Sequence, residues 1–399
     1  MQTKNLSRVS VVCTFAFPEG LAASTRIISY LKGLHQLGVR TDVFIYRPTE
    51  VYNKKSKYPP KGEFEGIQYI YPKTRTYSKY RLLRFLKRYY YYLITCINIW
   101  KENKKQKIDF LLISNDFLDI LFTFTITAKL LKIKPIFITD EYPSPIRGQL
   151  KDKIPNWKSY LYKKILKHED SLIFMTEKLN KFYNSELNKS YHILPTITDT
   201  SRFNIPIKKS TGQKYLCYMG NMELAKDNVD NIIVAFSKIS DKYRDINFFL
   251  YGAPSQTDKQ YLENVIEQNN LKERVFIKNR VNFEEVPQIV KNAYILVSSQ
   301  PNTKRAEGGF PTKLGEYMAA GVPTLLTDVG EITQYVQDGV HVHIVPPENP
   351  LLYAEKLEFI INNYEHCKKI AENAKKYLAE NFDYLAVAKK LKDFLETRL

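Results

Sequence analysis

The feature that most constrains this chain is a repeated change of hydrophobic period, from short apolar runs to helical spacing and back. Residues 9–15 are apolar and β-rich, a turn follows at Phe17-Pro18-Glu19-Gly20, and Ile27, Tyr30, Leu31, Leu34 and Leu37 then recur on one helical face before Gly38 and a second strand at 41–46. A strand, a crossover helix and a second strand make a βαβ unit, which requires a parallel sheet with helices packed over it. Further strands are predicted at 110–114, 136–140, 171–176 and 191–194. The rhythm restarts at 215–219 and continues at 248–251, 275–278, 294–298, 324–327 and 341–345. Between the two series, residues 205–213 carry Pro206, two lysines, Ser210 and Gly212, the composition of a linker. A chain of 399 residues exceeds the size at which one core stops growing, so the expected class is α/β with two Rossmann-like domains.

Charge is the least ordinary part of the composition. The formal net charge is +18, and residues 54–107 hold 15 Lys or Arg against 3 acids, so +12 of it lies there. Within this region residues 80–100, from Tyr80 to Trp100, place Leu82, Leu86, Tyr89, Tyr90, Leu93, Ile97 and Trp100 on one helical face with Arg81, Arg84, Lys87 and Arg88 among them. Two readings share that pattern: a helix facing the core with solvated basic residues, or a helix lying on an anionic membrane surface with its aromatic rings at headgroup depth. No apolar run reaches the ~20 residues needed to span a bilayer, and residues 1–8 are polar, so a cytosolic protein is expected, peripheral to the inner face of the membrane on the second reading. Cys13, Cys96, Cys217 and Cys367 are far apart, which suits reduced thiols rather than a metal site or a disulfide framework. His341 and His343 share a strand face, but without a third ligand nearby no metal site is expected.

Residues 307–329 read Glu-Gly-Gly-Phe-Pro-Thr-Lys-Leu-Gly-Glu-Tyr-Met-Ala-Ala-Gly-Val-Pro-Thr-Leu-Leu-Thr-Asp-Val. A flexible turn is expected at Gly308 and Gly309, Pro311 stands near a first helical position, 312–320 reads as a short helix and Gly321 ends it. Free amides, the helix dipole and the Lys313 cation meet at that helix start, which makes a phosphate site, and Glu316 one turn on can accept from sugar hydroxyls. An exposed Lys–Glu pair on a solvated face has the same spacing, so spacing alone leaves both readings open. Two other strand ends carry candidates. The loop after the first strand contains Gly20 but no Gly-x-Gly-x-x-Gly, and Arg26 just beyond it reads as an acceptor or phosphate contact or as a solvated arginine. Asp140 and Glu141 end the strand at 136–140, where they face a ligand crevice or order a loop.

The segment from Gly308 to Gly321 resembles the donor-site motif of family 4 glycosyltransferases of the GT-B fold, in the branch reading Gly-Phe-Pro-Thr/Ser-Lys-Leu-x-Glu-Tyr-Met-Ala-Ala/Ser-Gly. The resemblance covers nearly the whole chain and is strongest over 308–329. It implies two domains whose parallel sheets face across a cleft: an acceptor domain at 1–205, a donor domain at 206–380 and a helix at 381–399 packing back on the first. In such enzymes the helix start around Gly308, Gly309, Phe310, Pro311, Thr312, Lys313 and Leu314 meets the donor diphosphate, and the residue matching Glu316 accepts from the ribose. Gly20, Ala22 and Ala23 match a small-residue loop touching the donor phosphates. Gly220, Asn221 and Lys226 match the diphosphate loop, but Asn221 stands where an Arg is usual, so Arg280 or Arg305 would supply the second cation. Asp140 or Glu141 takes the place of a usual His, and Glu307 falls one residue from the first Glu of the family's commoner pattern, at the donor sugar.

The activity this implies is retaining transfer of a sugar from a nucleotide-diphosphate donor to a glycan or polyprenyl-linked acceptor, in assembly of a bacterial surface polysaccharide. Catalytic parts fall to Asp140, Glu141, Lys313 and Glu307. No cofactor is implied. The chain contains no Asp-x-Asp, and Lys313, Lys226 and helix amides can stabilise the leaving diphosphate, so a metal-independent reaction is expected. A GT-B sugar-nucleotide epimerase or hydrolase is the alternative that shares this donor site, and a basic nucleic-acid-binding protein is the alternative that ignores it.

Overall fold

Arg8–Cys13 (β1) is buried at every position, as expected for a strand covered on both faces. It lies at the centre of an eight-stranded sheet formed with Arg40–Ile45 (β2), Lys61–Phe64 (β3), Ile67–Ile70 (β4), Phe110–Ser114 (β5), Lys134–Thr139 (β6), Ser171–Phe174 (β7) and Tyr191–Ile193 (β8). The strand order is β3-β4-β2-β1-β5-β6-β7-β8, parallel throughout except for the antiparallel pair β3–β4. That hairpin was absent from the sequence reading. It turns at Glu65 and Gly66, both at positive φ (50° and 81°), the backbone of a two-residue hairpin turn.

A second sheet of six parallel strands is formed by Lys214–Met219 (β9), Ile246–Tyr251 (β10), Val275–Lys278 (β11), Ile295–Val297 (β12), Thr324–Thr327 (β13) and His343–Val345 (β14), in the order β11-β10-β9-β12-β13-β14. The computed structural model describes residues 5–20, 22–53, 56–147, 154–195, 197–207 and 212–399. Part of the predicted linker therefore lies outside the described residues. The chain divides into two units, Met1–Ile197 with Tyr384–Leu399, and Thr198–Asp383. The first break falls eight residues before the boundary placed at 205.

Both sheets change direction of strand addition at their centre. β1 has β2 on one side and β5 on the other; β9 has β10 on one side and β12 on the other. In open α/β sheets ligands collect outside the carboxyl ends of the strands at such switch points. The loops after β1 and β5, and those after β9 and β12, are therefore where function is to be sought.

The first unit includes the chain's last helix, Tyr384–Glu396, whose Tyr384, Val387, Ala388, Leu391 and Leu395 join the core around Leu31, Leu34 and Val43. This helix crosses Ala22–Gln36 so closely at Gly33 that a Cβ there would lie 2.5 Å from Ala388 Cβ and 2.6 Å from the Tyr384 carbonyl oxygen.

The helix Arg81–Lys105 buries Tyr91, Tyr92, Thr95, Ile99 and Glu102. Its predicted apolar stripe lies elsewhere: Leu82 is 69% exposed, and Leu86, Tyr89, Tyr90, Leu93 and Trp100 are exposed with it. The core-facing reading of that stripe is thereby excluded. Neighbouring helices repeat the pattern. Leu118–Leu130, joined to it by an ion pair of Arg88 with Asp119 and a Cys96–Thr127 contact of 3.2 Å, exposes Phe122, Ile126 and Leu130, and Asn156–Leu166 exposes Trp157 and Tyr160. No described helix is long and apolar enough to cross a membrane.

Candidate functional site

The helix Lys313–Ala320 opens on Thr312, which makes no side-chain cap bond, and closes on Gly321 in the left-handed conformation (φ 66°). Pro311 precedes it, and its carbonyl accepts from the Leu314 amide (2.9 Å). Phe310 is buried and packs edge-on against Tyr335. The expected flexible turn before it is absent. Gly308 ends a short helix, Lys304–Gly308, and Gly309 is extended at φ −98°. Thr303 explains the difference, because its hydroxyl accepts from the Ala306 amide and caps that turn. Glu307, expected at the donor sugar, pairs with Lys304 at 2.5 Å.

Tyr317 pins this helix to the switch point of its sheet. Its hydroxyl accepts from the Met219 amide at the end of β9 (3.0 Å) and donates to the Val297 carbonyl at the end of β12 (3.4 Å). Lys313 is thereby directed over the end of β9. Its Nζ donates to Asp227 Oδ1 at 2.6 Å and to the Tyr218 hydroxyl at 3.2 Å, and lies 4.3 Å from the centre of the Tyr218 ring. The Lys313 side chain is 14% exposed and that of Asp227 4%. Burial pulls the ammonium below the usual lysine range, while the Asp227 carboxylate works in the opposite direction. The reading of Lys313 and Glu316 as a merely solvated pair does not survive this geometry.

The loop after β9 closes around the same ammonium. The Gly220 amide donates to Tyr251 (3.0 Å), and a Cβ at Gly220 would lie 2.4 Å from the Tyr218 hydroxyl and 3.0 Å from Lys313 Nζ, so only glycine fits. Asn221 is exposed. Lys226 is half-buried and near enough to depress the Lys313 ammonium further. Of the two arginines proposed as the second cation, Arg305 is brought to this loop, with Nη1 2.7 Å from Glu223 Oε1. Arg280 is exposed just after β11, an edge strand separated from β9 by β10.

Glu316 sits one turn from Lys313. Its Oε1 accepts from Arg202 Nη1 at 2.9 Å, and Arg202 in turn lies 3.3 Å from the centre of the Phe283 ring and donates to the Phe283 carbonyl (2.8 Å). A carboxylate has further acceptor sites, so this pairing orients Glu316 without exhausting it.

In the first unit, Gly20 is exposed and would clash with Ser24 Oγ and the Ala16 carbonyl if it carried a Cβ. Ala22 opens the helix Ala22–Gln36. Arg26 on that helix is 6% exposed; Nη2 donates to the Leu194 carbonyl, and Nη1, 3.8 Å from Asp140 Oδ2, has no hydrogen-bond partner among the described residues. It is a buried cation, not a solvated one. Asp140 and Glu141 are separated in role: Asp140, 39% exposed, faces Arg26, whereas Glu141 holds Arg147. Arg147 also acts on Asp116, after β5, whose carboxyl burial pushes upward and Arg147 pulls back. His341 stacks on Tyr377, and His343 is buried with both ring nitrogens unpartnered; no group of three metal-ligating side chains occurs among the described residues.

Asp227, Arg202, Tyr317, Asp116 and Arg147 were not singled out in the sequence. Asp227 adjoins Lys226 and Tyr317 lies within the motif at 307–329, which are the signals that bore on them.

Residues 200–377 match the sequence family described as Glycosyl transferases group 1. An uncharacterized glycosyltransferase of Methanocaldococcus jannaschii is 25% identical over 228 residues, 57% of this chain and 56% of that protein. The alpha-D-kanosaminyltransferase of Streptomyces kanamyceticus is 25% identical over 175 residues, 44% of this chain and 43% of that one. The chain thus spans about half the length of the curated relatives it matches. Among solved structures, sucrose-phosphate synthase from Thermosynechococcus elongatus superimposes with a TM-score of 0.74 at 14% identity, covering 98% of both chains. Anabaena HepE in complex with UDP-glucose gives 0.68 at 12% identity, covering 98% of this chain and 99% of that one. The fold is therefore GT-B, and nearly the whole second unit, residues 200–377, matches the glycosyl transferases group 1 family.

Proposed function

We propose that this protein is a retaining glycosyltransferase of family 4 type that moves a sugar from a nucleoside-diphosphate donor to a glycan or lipid-linked acceptor in surface-polysaccharide assembly. One observation carries the reading: Lys313, at the start of a helix pinned to the switch point of the second sheet, presents a buried ammonium beside Gly220, where no side chain fits. A cation, a helix start and a bare backbone turn are what a diphosphate needs. HepE has been solved with UDP and with UDP-glucose, which supports a nucleotide sugar as donor here. The leaving group is a diphosphate, so catalysis is mainly electrostatic, and Lys313, Lys226 and Arg305 supply the charge without a metal. Glu316 accepts from the ribose. Asp140, with Arg26 behind it, is the first-unit carboxylate that acts on the transferred sugar.

The acceptor is lipid-linked and the enzyme peripheral to the cytoplasmic membrane face. The outward apolar stripe of Arg81–Lys105, flanked by Arg81, Arg84 and Lys87, and the exposed Phe122, Ile126 and Trp157 of two other helices support a headgroup-depth contact with anionic lipid.

A thermal-shift panel of nucleotide sugars, followed by product analysis with and without a polyprenyl-linked acceptor, tests the reading. A donor at about 100 times its dissociation constant adds about 2.7 kcal/mol. Silence across the panel would sink it, and turnover of the donor without acceptor would replace transfer by epimerisation or hydrolysis.

A further inference from the structure

We propose that Asp227 is a positioning residue of the donor site, which holds the Lys313 ammonium charged and aimed so that it meets the donor diphosphate without first taking up a proton or changing place. The inference rests on the reading that the second unit binds a nucleoside diphosphate.

An ammonium carries three N–H donors. Asp227 Oδ1 and the Tyr218 hydroxyl accept two of them, at 2.6 and 3.2 Å, and the Tyr218 ring lies beneath at 4.3 Å. Among the described residues no third acceptor is found, which leaves one donor for a ligand oxygen. The charged and titratable groups around it are Tyr218 on β9, Asp227 and Lys226 on the loop that follows β9, and Glu316 and Tyr317 on its own helix. Glu316 is engaged by Arg202 and Tyr317 by the ends of β9 and β12. Asp227 is therefore the anion in direct contact with Nζ, set against burial and the Lys226 cation, both of which favour the neutral amine. A neutral amine would offer little to a leaving diphosphate.

The geometry of Asp227 fits a residue that holds another rather than one that touches the ligand. Its amide donates to the Glu223 carbonyl (2.7 Å), and its side chain is 4% exposed beneath Lys313. Asp227 also raises the Tyr218 hydroxyl further out of the titrating range, which keeps that group a neutral acceptor for Lys313.

UDP is the probe, titrated by calorimetry between about pH 7 and 9, above the second ionisation of its terminal phosphate near about 6. Wild-type affinity should change little across that range. Asp227→Asn preserves shape and an acceptor oxygen but not the charge, so its affinity should fall about tenfold or more at the alkaline end and approach wild type at the acid end. Asp227→Asn combined with Lys313→Arg should restore a flat profile, because a guanidinium keeps its proton without help. A purely structural ion pair would lower affinity equally at every pH, and that result overturns the proposal. If Asp227→Asn does not fold, wild type alone decides. At about pH 8, binding measured in buffers of differing ionisation enthalpy should show no net proton uptake, and uptake of about one proton overturns the proposal. Failure of wild type to bind UDP, GDP, ADP or dTDP at any pH removes the glycosyltransferase reading itself, a result distinct from an altered pH profile.

Discussion

Arg202 and Glu316, 114 residues apart in the chain, are joined at 2.9 Å, and the same guanidinium lies 3.3 Å from the centre of the Phe283 ring. Glu316 is thus held by a residue from the start of the second unit, and the orientation of the carboxylate proposed for the ribose depends on Arg202. Ribose hydroxyls do not change charge during transfer, so both residues should act on donor binding rather than on turnover.

Glu316→Gln and Arg202→Ala are each expected to raise the donor KM about 5- to 20-fold, near 1 to 2 kcal/mol, with kcat within about twofold of wild type. The double variant should cost less than the sum of the two, because the second change removes a partner already lost. Steady-state kinetics across donor concentrations for all four proteins checks this. Additive effects would mean that Arg202 and Glu316 work separately.

The first unit offers a contrast between adjacent acids. Asp140 is more exposed and faces Arg26, whereas Glu141 is bound to Arg147. Asp140→Asn should lower kcat about 100-fold while leaving nucleoside-diphosphate affinity unchanged, since the proposed diphosphate site lies wholly in the second unit. Glu141→Gln should leave kcat within about threefold and cost under about 1 kcal/mol of stability, as its ion pair is partly solvated. Equal kinetics in the two variants would remove Asp140 from the mechanism.

What could be read from the chain follows the range of the forces involved. Strands such as β1, β5 and β9 are short apolar runs because both of their faces are covered, so their positions were legible within a few residues. The helix Lys313–Ala320 was legible because Pro311 and Gly321 mark its ends through local backbone preference. The β3–β4 hairpin was not, since its turn uses Glu65-Gly66 where Asn-Gly or Asp-Gly is the recognisable pair. The turn expected at Gly308 was misread because a Thr303 cap, five residues earlier, extends a helix through it. Asp227 beside Lys313 and Arg202 beside Glu316 were out of reach, because those contacts are made by the packing of helices on a sheet and leave no spacing in the sequence. Residues 80–100 show the limit most directly. Their periodicity defines an apolar face, but only tertiary structure decides whether that face turns inward or outward.

That outward face leads to a third prediction. Replacing Leu86, Tyr89 and Leu93 together by Ser should leave the melting temperature nearly unchanged, because all three side chains are about 60% exposed. Co-sedimentation with anionic vesicles should fall about tenfold or more, and wild-type binding should weaken with salt and be poor on neutral vesicles. Equal sedimentation of the variant and wild type, or indifference to lipid charge, would assign this face to another partner.

The last prediction concerns a carboxyl group far from the donor site. Glu169 is 1% exposed, accepts from the Thr125 hydroxyl through Oε1 and has no partner at Oε2 among the described residues. Burial raises its pKa to about 8, and the Thr125 hydroxyl, followed by Lys129 and Lys189, offsets this only in part. In the unfolded chain the same group ionises at about 4.3, so between that pH and about 8 the folded protein binds one proton more than the unfolded one. Stability contributed by this site is therefore complete below about pH 4.3, declines as pH rises through the window, and is lost above about 8. The slope approaches about 1.4 kcal/mol per pH unit in mid-window, which makes the total on the order of a few kcal/mol. Glu169→Gln keeps the volume and an acceptor but cannot ionise. Urea unfolding at a series of pH values from about 5 to 8.5 should show the variant gaining on wild type steadily as pH rises, with the gap levelling above about pH 8. Groups common to both proteins cancel in the difference, so a gap that stays constant with pH would mean that Glu169 is ionised in the folded state and finds a cation there.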